Sequence, residues 1–184
     1  MLSSRSTSPY PATLDHAGIA ARVPHAGRMC LLDALLAWDT DHALCAITNH
    51  TDPNHPLRTP RGLLAPVAIE YAGQAMALHA ALSAAAGSAP SGAAAGLAPS
   101  GAAAGPTPRA GFLASARQVV AHVARLDQAA GPLTVNVQRL LGDSRQAQYR
   151  FTLHDAGAAL LVEGRATVVL DGAPKEAVAA AEAT

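Results

Sequence analysis

The amino-acid sequence predicts an α+β fold in which a curved antiparallel β-sheet wraps around one long central helix. Three observations carry this reading. In residues 66–86, Val67, Ala68, Ile69, Ala72, Gly73, Ala75, Met76, Ala77 and Ala80 leave almost no polar face, and a helix apolar nearly all round is buried on nearly all sides. After it come runs rich in Val, Leu, Thr and aromatic residues, with Gly-Pro, Gly-Asp and Asp-Ala-Gly between them, the pattern of strands joined by turns. Short connections force antiparallel neighbours.

The elements follow in order. Asp15 can cap a short helix through about Ala21, stopped by Val23-Pro24 because the residue before proline avoids the helical region. Met29–Trp38 is an apolar run with one charge, Asp33; periodicity alone leaves strand and helix open. Asp39-Thr40-Asp41 reads as a turn. His42–His50 alternates, with Ala43, Cys45 and Ile47 on one side and Leu44, Ala46 and Thr48 on the other, so it reads as a strand. Residues 51–65 hold three prolines and no period, a loop. Pro66 opens the long helix, where its missing N–H is tolerated, and the helix runs to Ala86. Strands are predicted in Gly111–Leu126, Leu133–Leu140, Gln146–His154 and Ala159–Leu170.

The 184 residues predict one domain over 14–170. Alanine supplies 45 of them, and much of it lies where no core can form. The octet Ala89-Pro-Ser-Gly-Ala-Ala-Ala-Gly96 recurs as Ala98–Gly105 around Leu97. With no other large side chain it cannot offset the entropy of its own ordering, so 87–108 is predicted to be a disordered insertion. Residues 1–13 and 171–184 are predicted to be disordered or flexible tails.

Thirteen basic residues balance thirteen acidic ones, which excludes broad electrostatic capture of nucleic acid or of an anionic membrane. Cys30 and Cys45 lie in apolar runs and read as buried reduced thiols. Residues 1–13 lack a signal-peptide core. The Ala75–Ala86 stretch falls short of the ~20 residues of a bilayer span. A cytoplasmic protein is expected.

Glu70 stands inside the apolar helix with Gln74 at i+4 on the same face. A carboxylate there is costly unless paired or set at the mouth of a pocket, so it is either a satisfied buried group or an acid/base group. Eight histidines are present, none with metal-ligand spacing, and no metal or cofactor is expected. His25 follows Pro24, and His55 lies in the loop that feeds the helix. Arg28, Arg58 and Arg61 lie near the helix entrance, where they are surface groups or phosphate contacts. Phosphate-loop, dinucleotide and serine-elbow motifs are absent from the sequence.

Two blocks resemble the hotdog-fold β-hydroxyacyl-acyl-carrier-protein dehydratases. Val23-Pro-His-Ala-Gly-Arg-Met-Cys-Leu-Leu-Asp33 resembles the family's Pro-His followed by an apolar strand and Asp. Ile69-Glu-Tyr-Ala-Gly-Gln-Ala75 resembles the central-helix signature Glu-x-x-x-Gln-Ala. The Asn-x-Pro-Leu-Arg loop and the Ile-Glu-Tyr helix start are most similar to dehydratases of aryl polyene and xanthomonadin-type pigment clusters.

The resemblance implies a hotdog fold and elimination of water from a 3-hydroxyacyl thioester. A histidine would take the α-proton while Glu70 assists the departing hydroxyl. The family's active-site loop reaches His55 with a one-residue gap, and His25 is the second candidate. Substrate contacts are expected at Gln74, Ala65, Val67 and Arg58, with amides at the helix start polarising the thioester carbonyl. The implied partners are an acyl carrier protein and a second hotdog chain, as homodimer or heterodimer. A non-catalytic hotdog subunit and an acyl thioesterase remain open as alternatives.

Overall fold

The computed structural model describes residues 13–87, 112–143 and 146–169. The tails and the alanine-rich insertion therefore lie outside the described residues, apart from Thr13 and Gly87. The chain opens with a two-residue strand, β1 (Leu14–Asp15), and a short helix, α1 (His16–Ala20). Asp15 caps that helix as its sequence predicts: its carboxylate accepts from the Gly18 N–H at 2.8 Å. The apolar run from Met29 resolves into an extended segment and β2 (Ala34–Trp38). After the turn at Asp39–Asp41 comes β3 (His42–Ile47), whose Ala43, Cys45 and Ile47 are buried while the residues between them are not. A short 3₁₀ turn, Asn49–Thr51, ends it.

Helix α2 spans Val67–Gly87. Strands β4 (Phe112–Ala121), β5 (Leu133–Gly142), β6 (Gln146–His154) and β7 (Leu160–Val169) follow. They form one seven-stranded antiparallel sheet in the order β1-β2-β3-β5-β6-β7-β4. The first strand after α2, β4, thus lies at an edge of the sheet. Of the four strands after α2, β5, β6 and β7 alone are chained by short turns; β4 pairs with β7, and β5 inserts beside β3. The predicted row of four turn-linked neighbours is corrected here: residues 122–132 form a connection that returns the chain from the edge to the middle of the sheet.

The sheet's inner face wraps α2. Tyr71, Ala72, Ala75, Met76, Leu78 and Leu82 are at most 1% exposed. They share one core with Ile47, Val135, Phe151 and Val162. Small residues permit the close approach. Gly164 faces Phe151 across β6 and β7, and a Cβ there would stand 2.8 Å from the Phe151 ring. Burying a ring of this kind is worth ~1.5–3 kcal/mol, so the space Gly164 leaves is part of the fold's stability. Cys30 and Cys45 are free and buried, and burial pushes the Cys45 thiol up to about 12. Among the described residues no helix is long and apolar enough to cross a membrane.

Candidate active site

Among the polar side chains on α2, Glu70, Gln74 and His79 are each anchored. His79, fully buried, places Nε2 3.1 Å from the Asp39 carbonyl. That bond puts the proton on Nε2, so Nδ1 accepts from the Tyr149 hydroxyl at 2.9 Å. Burial holds this imidazole below its ordinary pKa, and both of its nitrogens are engaged in the core.

Gln74 is likewise fully buried. Its carbonyl accepts the Leu31 N–H at 2.8 Å. Its amide donates to the Met29 carbonyl at 2.7 Å and to Glu70 Oε1 at 2.9 Å. The i, i+4 spacing that puts Glu70 and Gln74 on one face therefore produces a bond, and Gln74 clamps the carboxylate to the Met29–Leu31 backbone.

Glu70 itself reaches solvent: its side chain is 35% exposed and that of His25 is 29% exposed. The Val23–Met29 segment folds His25 back over the start of α2, helped by a left-handed Gly27 at φ 58° and the 3₁₀ turn Gly27–Met29. His25 Nε2 lies 3.1 Å from Glu70 Oε1. Oε1 thus receives both the Gln74 amide and the histidine. A neutral His25 donating through Nε2 carries its lone pair on Nδ1, and Nδ1 is buried with no partner among the described residues. A ring nitrogen with a free lone pair, next to a carboxyl group at a solvent boundary, has the chemistry that general acid–base catalysis uses.

His55 is placed differently. It is 4% exposed. Its Nδ1 accepts the Leu57 N–H at 3.1 Å, so its proton sits on Nε2 and is donated to the Tyr71 oxygen at 3.1 Å. Tyr71 donates onward to Asn49 Oδ1 at 3.1 Å, and the Asn49 amide donates to the Leu31 carbonyl at 2.7 Å. Burial lowers the His55 pKa, partly offset by the Asp52 charge. Both nitrogens are committed to a closed chain of bonds that ends on the same Leu31 that holds Gln74. The sequence reading missed Tyr71 and Asn49; the adjacency of Tyr71 to Glu70 was the available signal.

The expected substrate contacts are also found in bonds of their own. Arg58 pairs with Asp127 at 2.7 Å, and Arg125 grips the same carboxylate at 2.6 Å. The Arg125 hydrogen bonds hold the Asp127 carboxyl down to about 2. This cluster pins the loop before α2 to the β4–β5 connection. Gly62 sits there at φ 101°, a backbone conformation that strains any L side chain, and a Cβ would also displace the Arg125 guanidinium, 2.5 Å away. The Ala65 amide donates to the Ala124 carbonyl, and the Val67 and Ala68 amides donate to Leu64 and Ala65. The amides expected to polarise a thioester carbonyl are therefore engaged within the fold. Arg28 bonds the Asn54 carbonyl and reaches Asp52 at 3.5 Å.

Comparison with known proteins adds the following. The family model described as ApeP dehydratase, ApeP-like, matches residues 17–179. Among solved structures, the dehydratase heterocomplex ApeI:P from Xenorhabdus doucetiae is similar at 22% identity and a TM-score of 0.65, covering 84% of this chain and 91% of that chain. Thioesterase superfamily member 2 of zebrafish is similar at 13% identity and a TM-score of 0.51, covering 85% and 93%. AziG of S. sahachiroi is similar at 13% identity and a TM-score of 0.50, covering 74% and 88%. These likenesses are of fold. Among curated proteins nothing matches.

Proposed function

The chain belongs to the ApeP-like dehydratase family and is a dehydratase of hotdog fold; from that premise we propose that it acts on 3-hydroxyacyl thioesters borne by an acyl carrier protein, giving trans-2-enoyl thioesters. The observation that supports this most is the 3.1 Å His25–Glu70 pair with the unpartnered His25 Nδ1. In the proposed reaction Nδ1 takes the proton from Cα. The protonated Glu70 carboxyl gives its proton to the leaving hydroxyl, the Cβ–O bond breaks, and the Cα–Cβ double bond forms as water departs. The imidazolium and carboxylate left behind face each other across the Nε2–Oε1 contact, and the starting state returns when Nδ1 releases the substrate proton and Glu70 takes one up from water. Gln74 positions the carboxylate and makes no claim on substrate. His55 is assigned to holding Tyr71 and Asn49.

The partner is proposed to be a second hotdog chain, seated on β4. The two sheet edges differ: β1 has two residues and β4 has ten. Along β4, Leu113, Val119 and Val120 are 44%, 36% and 47% exposed, and a long apolar edge strand calls for a strand beside it. A heterodimer is favoured because the similar Xenorhabdus structure is a heterocomplex.

The test is direct. Purified protein is incubated with a 3-hydroxyacyl-loaded carrier protein and the mass of the acyl carrier is followed. Loss of one water supports the proposal, release of free acid indicates a thioesterase, and turnover only after adding a second hotdog chain assigns the chemistry to the pair or the partner.

A further inference from the structure

The outer face of the sheet carries a charge arrangement that the dehydration chemistry does not use. Arg117 on β4 lies directly opposite Arg165 on β7, and Arg165 lies directly opposite Arg150 on β6. Residues directly opposite in an antiparallel sheet share a face. This face is the one turned away from α2, since the intervening Tyr149, Phe151 and Ala166 are buried in the core while all three arginines are exposed. Like charges directly opposite destabilise a sheet. Even so, among the described residues none of the three is ion-paired to a carboxylate. The one acid on that face nearby, Glu163, instead contacts His122 at 3.3 Å.

A groove of about 630 Å³ opens at the β4 end of this row, lined by Ser115, Arg117, Gln148, Arg165 and Thr167 with no carboxylate. Its size is that of a small-molecule site. Each of these polar side chains can donate a hydrogen bond, and two are guanidinium forks that match phosphoryl oxygens bidentately. We infer that this groove on the outer face of β4, β7 and β6 binds the phosphoryl groups of a small phosphorylated ligand, whose charge relieves the arginine repulsion. A strand added at the β4 edge would extend the sheet and leave this face open.

The inference stands apart from the dehydratase reading, and its test does not use turnover. The full-length chain is titrated calorimetrically with pyrophosphate at low salt. Saturable binding is expected, weakened at least about tenfold in Arg165→Gln, the loss of one bidentate charge-assisted contact. Arg22→Gln, which removes the same charge from the turn after α1, should leave it unchanged. Thermal melting supplies the second readout. Pyrophosphate should raise the melting temperature of the wild type, whereas Arg165→Gln should melt higher than wild type without ligand and lose the ligand-dependent rise. Equal affinity in Arg165→Gln and wild type would overturn the inference. Binding of glutamate as tight as that of pyrophosphate would also overturn it, as would Arg165-dependent binding of a polyglutamate peptide without any of pyrophosphate, which would make the surface a dock for an acidic protein.

Discussion

His25 and His55 both sit in loops that meet the start of α2, and they differ in what their rings have left to give. His55 is buried, and its nitrogens are spent on Leu57 and Tyr71. His25 is part-exposed, spends Nε2 on Glu70 and keeps Nδ1 without a partner. Both loops are tied to Leu31, one through its carbonyl by Asn49 and the other through its N–H by Gln74. One backbone residue thus carries a closed network and an open one. A polar network satisfied at every member rigidifies its surroundings; one with a spare lone pair is equipped to move a proton. Proximity to the helix start does not separate the two roles; the count of free valences does.

The largest effect expected from this contrast is on turnover. His25→Gln and Glu70→Gln should each lower dehydration by about 10²–10⁴-fold, the usual range for losing a general acid or base. Both side chains are partly exposed, so melting temperatures should stay near wild type. Steady-state kinetics beside thermal denaturation checks this, and wild-type turnover in His25→Gln would break the comparison at once.

The closed network should answer in stability. Tyr71→Phe removes the hydroxyl that joins His55 to Asn49 and leaves a buried imidazole nitrogen and a half-buried amide oxygen without that partner. The expected cost is ~1–3 kcal/mol in urea unfolding, with most turnover kept by the folded fraction. A Tyr71→Phe protein as stable as wild type but inactive would place the reacting histidine in the wrong loop.

How much of this was legible in the sequence follows from what kind of information each feature needs. Asp15 as a cap, the Glu70–Gln74 pair and the alternation of β3 are local, and spacing alone specifies them. The place of β4 at the sheet edge is not local: periodicity reports that a segment is a strand, and nothing in Phe112–Ala121 names its neighbour. The same limit applies at the site. Sequence order favours His55, because its loop runs directly into α2. What sets His25 against Glu70 is a 3₁₀ turn at Gly27 and the Gln74 clamp on Met29. His55 is turned to Tyr71 because the Leu57 N–H claims its Nδ1. Those are tertiary bonds, and their absence from the sequence pattern left both histidines open.

Acid should act on the closed side of the comparison. Burial lowers the pKa of His55 and of His79 in the folded chain. The unfolded chain therefore binds protons first as pH falls. The stability these groups contribute is fully present above the unfolded histidine value of ~6.5 and is lost as pH drops from there through the lowered folded values. Urea midpoints measured from pH 8 downward should fall below that point, and His55→Gln should flatten the descent. A slope unchanged in His55→Gln would mean that burial does not oppose its protonation.

The smallest effect expected concerns what holds the His25 turn in place. Arg28 lies in that turn and bonds Asn54 and Asp52 from outside, with the arginine 65% and the aspartate 41% exposed. Gln74 holds the same turn from inside, through the Met29 carbonyl. Exposed ion pairs contribute roughly 0–1 kcal/mol and are screened by salt, whereas a buried amide left without its partner costs more. Arg28→Ala should therefore lower stability by less than ~1 kcal/mol, an effect that shrinks as salt is added, and should change kcat little. A large loss of kcat in Arg28→Ala with stability intact would mean that the turn is aimed from the surface, and that the open network depends on a bond to the loop of His55.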